Sequence, residues 1–290
     1  MTNTPQSNGN ASALRAANLT ISFRTGLFGM VAGPKVLNDI SLDFKRGAIV
    51  AVIGPNSVGK STLFKTAMGF LAPEAGELEV LGLPAGSREA KRRTGYLPER
   101  DRFYPRMTVG ENLEFVARLK GLASERAADE AGRLARRIGI HAYMNEKTGT
   151  LSKGILRRVG VAASLTANPE LLLWDEPWDG MDPEGVRLLK RIALETRNRG
   201  GTIVIASHRL EELLELSDEY ALLGHGRLLS SGTVAELRAR GEKMRIETEA
   251  DEITVGKTVE YLRGIVPDAP VTVTRMLPEL DEYYRDFESP

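Results

Sequence analysis

The stretch A-I-V-A-V-I-G-P-N-S-V-G-K-S-T-L-F-K-T-A-M (residues 48–68) changes character twice. Its first six residues form an unalternating apolar run, as expected for a strand of a parallel sheet covered on both faces. Its last part spaces apolar residues as a helix does. Between them stands G-x-x-x-x-G-K-S, the pattern that cradles phosphate when it links a strand to a helix. Glycines let the backbone wrap an anion with N–H groups pointing inward, at a helix N-terminus whose dipole favours negative charge. Lys60 supplies a point charge for β- and γ-phosphates, and the Ser61 hydroxyl suits Mg2+. Gly54, Pro55, Asn56, Ser57, Val58, Gly59, Lys60, Ser61 and Thr62 are therefore the candidate nucleotide-binding residues. The competing reading is a glycine turn before an ordinary helix, which leaves the lysine and serine unexplained.

Two further apolar runs, L-L-L-W (171–174) and T-I-V-I-A (202–206), read as strands of the same parallel sheet, and each ends in a chemically useful side chain. Asp175 follows the first and suits the Mg2+ shell; Glu176 comes next, placed to polarise an attacking water. An Asp-Glu pair after a strand is on its own a common loop start, and only the phosphate loop in the same sheet makes it catalytic. His208 lies just beyond the second run. A lone histidine is usually structural, but α/β folds bind ligands at the carboxyl ends of their strands, where a γ-phosphate sensor belongs. The candidate catalytic set is Lys60, Glu176 and His208.

The rest of the chain supports an α/β fold. Residues 14–44 alternate apolar and polar residues around G-L-F-G-M-V-A-G-P (26–34), which predicts antiparallel strands with a long loop. Thr108 and Glu111 form a capping box, Asp182-Pro183 a cap with proline at the first helical position, and Thr233 and Glu236 a second capping box. In T-L-S-K-G-I-L-R-R-V (150–159), Ser152 caps a basic helix whose Ile155 and Val159 face a core. The expected organisation is a disordered tail over 1–12, a main domain over 13–238 with a mostly helical insertion over about 95–165, and a small α+β appendage over 239–290. That appendage reads as strand M-R-I-E-T, helix V-G-K-T-V-E-Y-L-R, strand P-V-T-V-T and an acidic helix.

Composition narrows the function. With 290 residues, 42% of them hydrophobic, the chain can bury a sizeable core. Its 39 basic and 39 acidic residues cancel, leaving no long-range field for nucleic acid, and no nucleic-acid partner is expected. The absence of cysteine excludes disulfides and thiolate metal sites. The polar N-terminus does not read as a signal peptide, and no apolar run approaches the roughly 18 residues of a bilayer span, so a membrane role is expected to come through a partner.

Taken in order, these motifs resemble the nucleotide-binding subunit of an ATP-binding cassette (ABC) transporter over about residues 14–238. The family's glutamine loop is matched by G-Y-L-P-E (95–99), its signature L-S-G-G-Q by L-S-K-G-I (151–155), and its D-loop by W-D-G-M-D-P (178–183). The resemblance implies a P-loop cassette with a parallel core sheet, an antiparallel β subdomain and a helical signature subdomain. It further implies ATP and Mg2+ as ligands and a head-to-tail dimer with an identical or paralogous ATPase subunit. Each site would take Lys60, Ser61, Thr62, Asp175, Glu176 and His208 from one chain and Ser152 and Gly154 from the other, with Asp182 linking the two sites. Phe23, which closes N-L-T-I-S-F, would stack on adenine, although a strand phenylalanine is more often core.

Two departures stand out. Glu99 replaces the family's glutamine at a position that touches Mg2+ or water, a job a carboxylate can do. Lys153 replaces the signature's first glycine, and it either attracts phosphate or points to solvent. Y-P-R-M-T-V-G-E-N-L-E-F-V-A-R-L-K-G-L (104–122) and the tail L-P-E-L-D-E-Y-Y-R-D-F are similar to exporters of drugs, antibiotics and lipids. The expected partner is a separate transmembrane permease that docks near Glu99 to Tyr104, with the chain peripheral on the cytoplasmic face of the cell membrane. The alternative is a soluble ABC-type ATPase serving DNA repair, the ribosome or iron–sulfur assembly. The short spacing between the two nucleotide motifs, with no heptad array, and the single cassette speak against it.

Overall fold

The computed structural model describes residues 12–25, 31–207 and 210–240. The expected tail up to residue 11, His208 and the appendage beyond Arg240 lie outside the described residues. Two compact units divide between Glu236 and Leu237, and the residues that carry the site belong to the first.

In chain order the elements are β1 (Ser12–Thr25), β2 (Val31–Lys45), β3 (Ile49–Ile53), α1 (Lys60–Ala67), β4 (Ala75–Val80), β5 (Leu83–Pro84), α2 (Arg88–Arg93) and β6 (Thr94–Leu97). They continue with α3 (Val109–Leu119), α4 (Ser124–Ile138), α5 (Lys153–Ser164), β7 (Leu171–Asp175), α6 (Pro183–Asn198) and β8 (Thr202–Ala206), then α7 (Leu210–Leu216), β9 (Glu219–Gly224), β10 (Arg227–Thr233) and α8 (Val234–Arg240). One sheet is antiparallel, in the order β2-β1-β4-β5. The other runs β10-β9-β3-β8-β7-β6, parallel throughout except for the β9–β10 hairpin.

Every residue of β3, β7 and β8 is buried. Val50, Val52, Leu173 and Val204 face a core shared with Leu63 and Phe64 of α1 and with Leu14, Leu19, Leu37, Ile40 and Phe44 of the antiparallel sheet. The other face is covered by helices, α5 against β6 and α6 against β8. Double-sided burial is why these strands carry no polar alternation.

Two expected boundaries move. β2 starts at Val31, inside the glycine-rich stretch read as loop. The stretch read as mostly helical from about residue 95 begins instead with β6, which pairs parallel to β7 (Leu97 opposite Trp174). Four residues bounded by arginines and a proline are too short to register as a periodic strand in the sequence. Both capping boxes form, at Thr108–Glu111 and Thr233–Glu236, and Asp182 caps α6 ahead of Pro183.

Candidate active site

Strand register brings the site together. Val52 of β3 lies opposite Ala206 of β8, and Ala206 lies opposite Asp175 of β7, so all three strands release their following residues at one edge of the sheet. Those residues are Gly54 onward, Glu176 and Ser207.

The 54–59 loop needs its glycines. Gly59 sits at φ 110°, and a Cβ there would come within 2.4 Å of Leu37 Cδ2 and 3.0 Å of the Val36 carbonyl oxygen. Ser57 also has a positive φ, of 66°. Among the described residues, the N–H groups of Asn56, Ser57 and Gly59 make no backbone hydrogen bond, and the α1 N-terminus has no side-chain cap and no acidic residue in its first turn. Unsatisfied donors at a helix N-terminus make an anion site. Lys60 is buried and folds back so that Nζ donates to the carbonyls of Gly54 (2.7 Å) and Pro55 (3.0 Å). Burial pushes its pKa down, and the charges of Glu176, Asp175 and Glu99 oppose that.

Asp175 is 1% exposed. Burial raises its pKa to about 6, the neighbouring Ser61 hydroxyl pulls the value down, and the charges of Glu176 and Glu99 push it up. Its Oδ2 has no protein partner. A buried carboxylate oxygen without a donor, beside a serine hydroxyl and within the field of Lys60 and Glu99, is the hard-oxygen donor set that Mg2+ takes when phosphate completes its shell.

Glu176 is buried and holds φ at 46°, a conformation that costs a non-glycine residue of order 1–3 kcal/mol and that concentrates at functional sites. Its N–H donates to the Ala206 carbonyl (2.8 Å), and Ser207 Oγ donates to its Oε2 (3.0 Å). Ser207 went unread in the sequence, although its place beside His208 was the available signal.

The residues expected to serve a neighbouring chain sit elsewhere. Ser152 caps α5, accepting from the Ile155 N–H at 3.4 Å, and is exposed. A Cβ on Gly154 would stand 2.9 Å from the Gly180 carbonyl, so the α5 N-terminus lies directly on the 178–183 segment. Lys153 lays its stem over Gly180, with Cγ, Cδ and Cε within 3.1 Å of where a Cβ would be. Asp182 caps α6 through the Gly185 N–H (2.8 Å), and Arg158 donates to it at 3.0 Å. Phe23, 44% exposed, is not core, although Leu19 and Ile21 on the same strand are. Glu99 is exposed beyond the end of β6 and acts on Lys60 and Asp175 through its charge.

Arg157 gave no sequence signal beyond a basic run, yet it is 1% exposed. Its guanidinium donates to the carbonyls of Asp175 (2.7 Å), Glu176 (2.7 Å), Pro177 (3.3 Å), Pro98 (2.6 Å) and Glu99 (3.5 Å), and to Asp101 Oδ1 (3.2 Å).

A phosphate loop between strand and helix, with a buried aspartate beside Ser61 and a strained glutamate at the same sheet edge, defines the class: a P-loop nucleoside triphosphatase. Known proteins narrow it. The family profile described as ABC transporter matches residues 37–179. The uncharacterised ABC transporter ATP-binding protein YhaQ of Bacillus subtilis is 32% identical over 81% of this chain and 77% of its own length. The lipopolysaccharide export system ATP-binding protein LptB of Haemophilus influenzae is 34% identical, over 77% of this chain and 91% of its own. Among solved structures, one described as the ATP binding subunit of an ABC transporter superposes with a TM-score of 0.69 at 26% identity, covering 79% of this chain and 93% of that one. The chain belongs to the ABC transporter ATP-binding proteins. It is an ATPase of the ABC transporter family, whose ATP-binding subunits dimerise and work with membrane subunits.

Proposed function

We propose that the chain couples ATP hydrolysis, in a head-to-tail dimer, to export through a separate transmembrane subunit. The observation that carries the site is the Ser61–Asp175 pair with its orphaned Oδ2, set at one sheet edge with Lys60 and Glu176. The open N–H groups of the 54–59 loop and the Lys60 ammonium bind the β- and γ-phosphates. Ser61 and Asp175 hold Mg2+, with Glu99 beside them. When bound, the ion neutralises charge on the phosphates. Glu176 accepts a proton from the attacking water, held by the Ser207 hydroxyl, and His208 contacts the γ-phosphate. Ser152 and Gly154 of a second copy close the site, Asp182 relays between sites, and the exposed ring of Phe23 stacks on adenine.

The membrane partner is supported by a surface. Tyr104, Phe115 and Leu119 are 55%, 38% and 67% exposed, and the first two stack edge-on at 5.4 Å between ring centroids. Asn112, buried beneath, fixes this loop: it accepts the Tyr104 N–H (3.0 Å) and donates to the carbonyls of Tyr104 and Thr108 (3.2 and 2.9 Å). An exposed aromatic cluster on a rigid base suits an interfacial helix of a permease. No helix among the described residues is long and apolar enough to cross a membrane, which fits a subunit held at the cytoplasmic face by its partner. Export is supported by the similarity to LptB, itself named for lipopolysaccharide export. Two measurements test the reading. Glu176→Gln should retain ATP binding, lose hydrolysis and accumulate an ATP-bound dimer; hydrolysis at the wild-type rate removes Glu176 as base. Purification from detergent-solubilised membranes should bring down a polytopic membrane protein, and repeated recovery of the chain with only soluble partners removes the transport role.

A further inference from the structure

Arg157, on α5, donates to two separate pieces of chain: residues 175–177 at the end of β7 and the 98–101 loop after β6. A guanidinium has five N–H donors in a planar fork, and here every nitrogen is engaged. All but one of the acceptors are backbone carbonyls, so the contacts fix peptide planes, not side chains. One of those planes belongs to Glu176, whose φ of 46° requires its surroundings to hold it. A buried ion pair is weak evidence of a stabilising role, because apolar residues of similar volume often do as well.

The pairing is built from both sides. Asp101 lies against α5 where Gly160 leaves room: a Cβ on Gly160 would stand 2.2 Å from Asp101 Oδ1 and 2.8 Å from Leu97 Cδ1. The side chains of Arg157 and Asp101 are only 2% and 9% exposed. We infer that Arg157 is a positioning residue whose guanidinium ties the Asp175–Pro177 backbone to the 98–101 loop, so that the placing of this loop sets the aim of the Glu176 carboxylate. The inference rests on Glu176 being the hydrolytic base. It makes the loop that follows β6 a lever on catalysis.

The test uses the full-length purified chain, with Mg-ATP hydrolysis and ATP affinity measured for Arg157→Lys, Arg157→Gln, Asp101→Asn and Gly160→Ala. Arg157→Gln should lower kcat by ten- to a hundredfold, the range for a small misplacement of a reacting group, with KM within about twofold of wild type. Arg157→Lys should recover part of the loss, since one ammonium can meet some of the carbonyls. Adding Asp101→Asn to Arg157→Gln should cost nothing more, because both changes break one link. A folded Arg157→Gln with kcat within about twofold of wild type, a fall in kcat matched by a rise in KM, or full additivity of the double variant overturns the inference. If the Arg157 variants do not fold, Gly160→Ala and Asp101→Asn decide alone: each should lower kcat at constant KM, and unchanged kcat in both overturns it. Glu176→Gln run in parallel separates the two readings. Wild-type hydrolysis by that variant overturns both; an inactive Glu176→Gln beside an unaffected Arg157→Gln overturns only the link.

Discussion

Glu176 is reached by one hydroxyl whose loss would leave the rest of the site standing. Ser207 is fully buried, and its Oγ donates to Glu176 Oε2 at 3.0 Å from the end of the neighbouring strand. A hydrogen bond to a charged group contributes about 1.5–3 kcal/mol, and part of that orients the carboxylate. Ser207→Ala should therefore slow hydrolysis by about tenfold or more while ATP affinity stays near wild type. Single-turnover kinetics beside calorimetric binding checks this; a loss of affinity matching the loss of rate would mean that the serine shapes the phosphate pocket and not the base. Lys60→Ala is the opposite case. Its ammonium already lies across the loop carbonyls, and removing it should abolish measurable nucleotide binding by calorimetry; unchanged affinity would undo the phosphate-site reading.

The α5 helix shows what one element owes to its own sequence and what it owes to its neighbours. Ser152 as its cap, with Val159 buried, was legible, because capping and helical periodicity are local. The strands were legible for a related reason: burial on both faces writes a continuous apolar run. Arg157 and Ser207 were not, since each acts on carbonyls or carboxylates distant in sequence that only the fold brings near. Lys153 falls between these cases. Its charge read as either attracting phosphate or pointing to solvent, and the structure places its stem on Gly180. Two substitutions separate stem from charge. Lys153→Met keeps the cover and should leave the denaturation midpoint unchanged, so any shift in its ATP-driven dimerisation reads the charge alone. Lys153→Gly removes the cover and adds glycine to a first helical turn, and should destabilise by about 1 kcal/mol. Equal midpoints for the two variants would show that the stem contributes nothing.

At the scale of the whole molecule, the proposed site would be shared between two copies. Gly154 lies against Gly180 of its own chain, and Ser152 is exposed at the α5 N-terminus, whereas Lys60, Ser61, Asp175 and Glu176 gather at the sheet edge. If the second half comes from another copy in head-to-tail fashion, two different defects should complement each other. Lys60→Ala disables the phosphate loop. Ser152→Asp keeps an equally good helix cap but sets a carboxylate against the γ-phosphate. Either variant alone has no intact site. In a mixed dimer the defects coincide in one site, and the other pairs an unaltered Lys60 with an unaltered Ser152. With free exchange half of the dimers are mixed, so hydrolysis by the mixture should recover to about a quarter of the wild-type rate, as an isologous dimer with two reciprocally shared sites requires. Activity proportional to the sum of the separate variants, with exchange confirmed by differently sized tags, would place each site within one chain and remove the shared-site dimer.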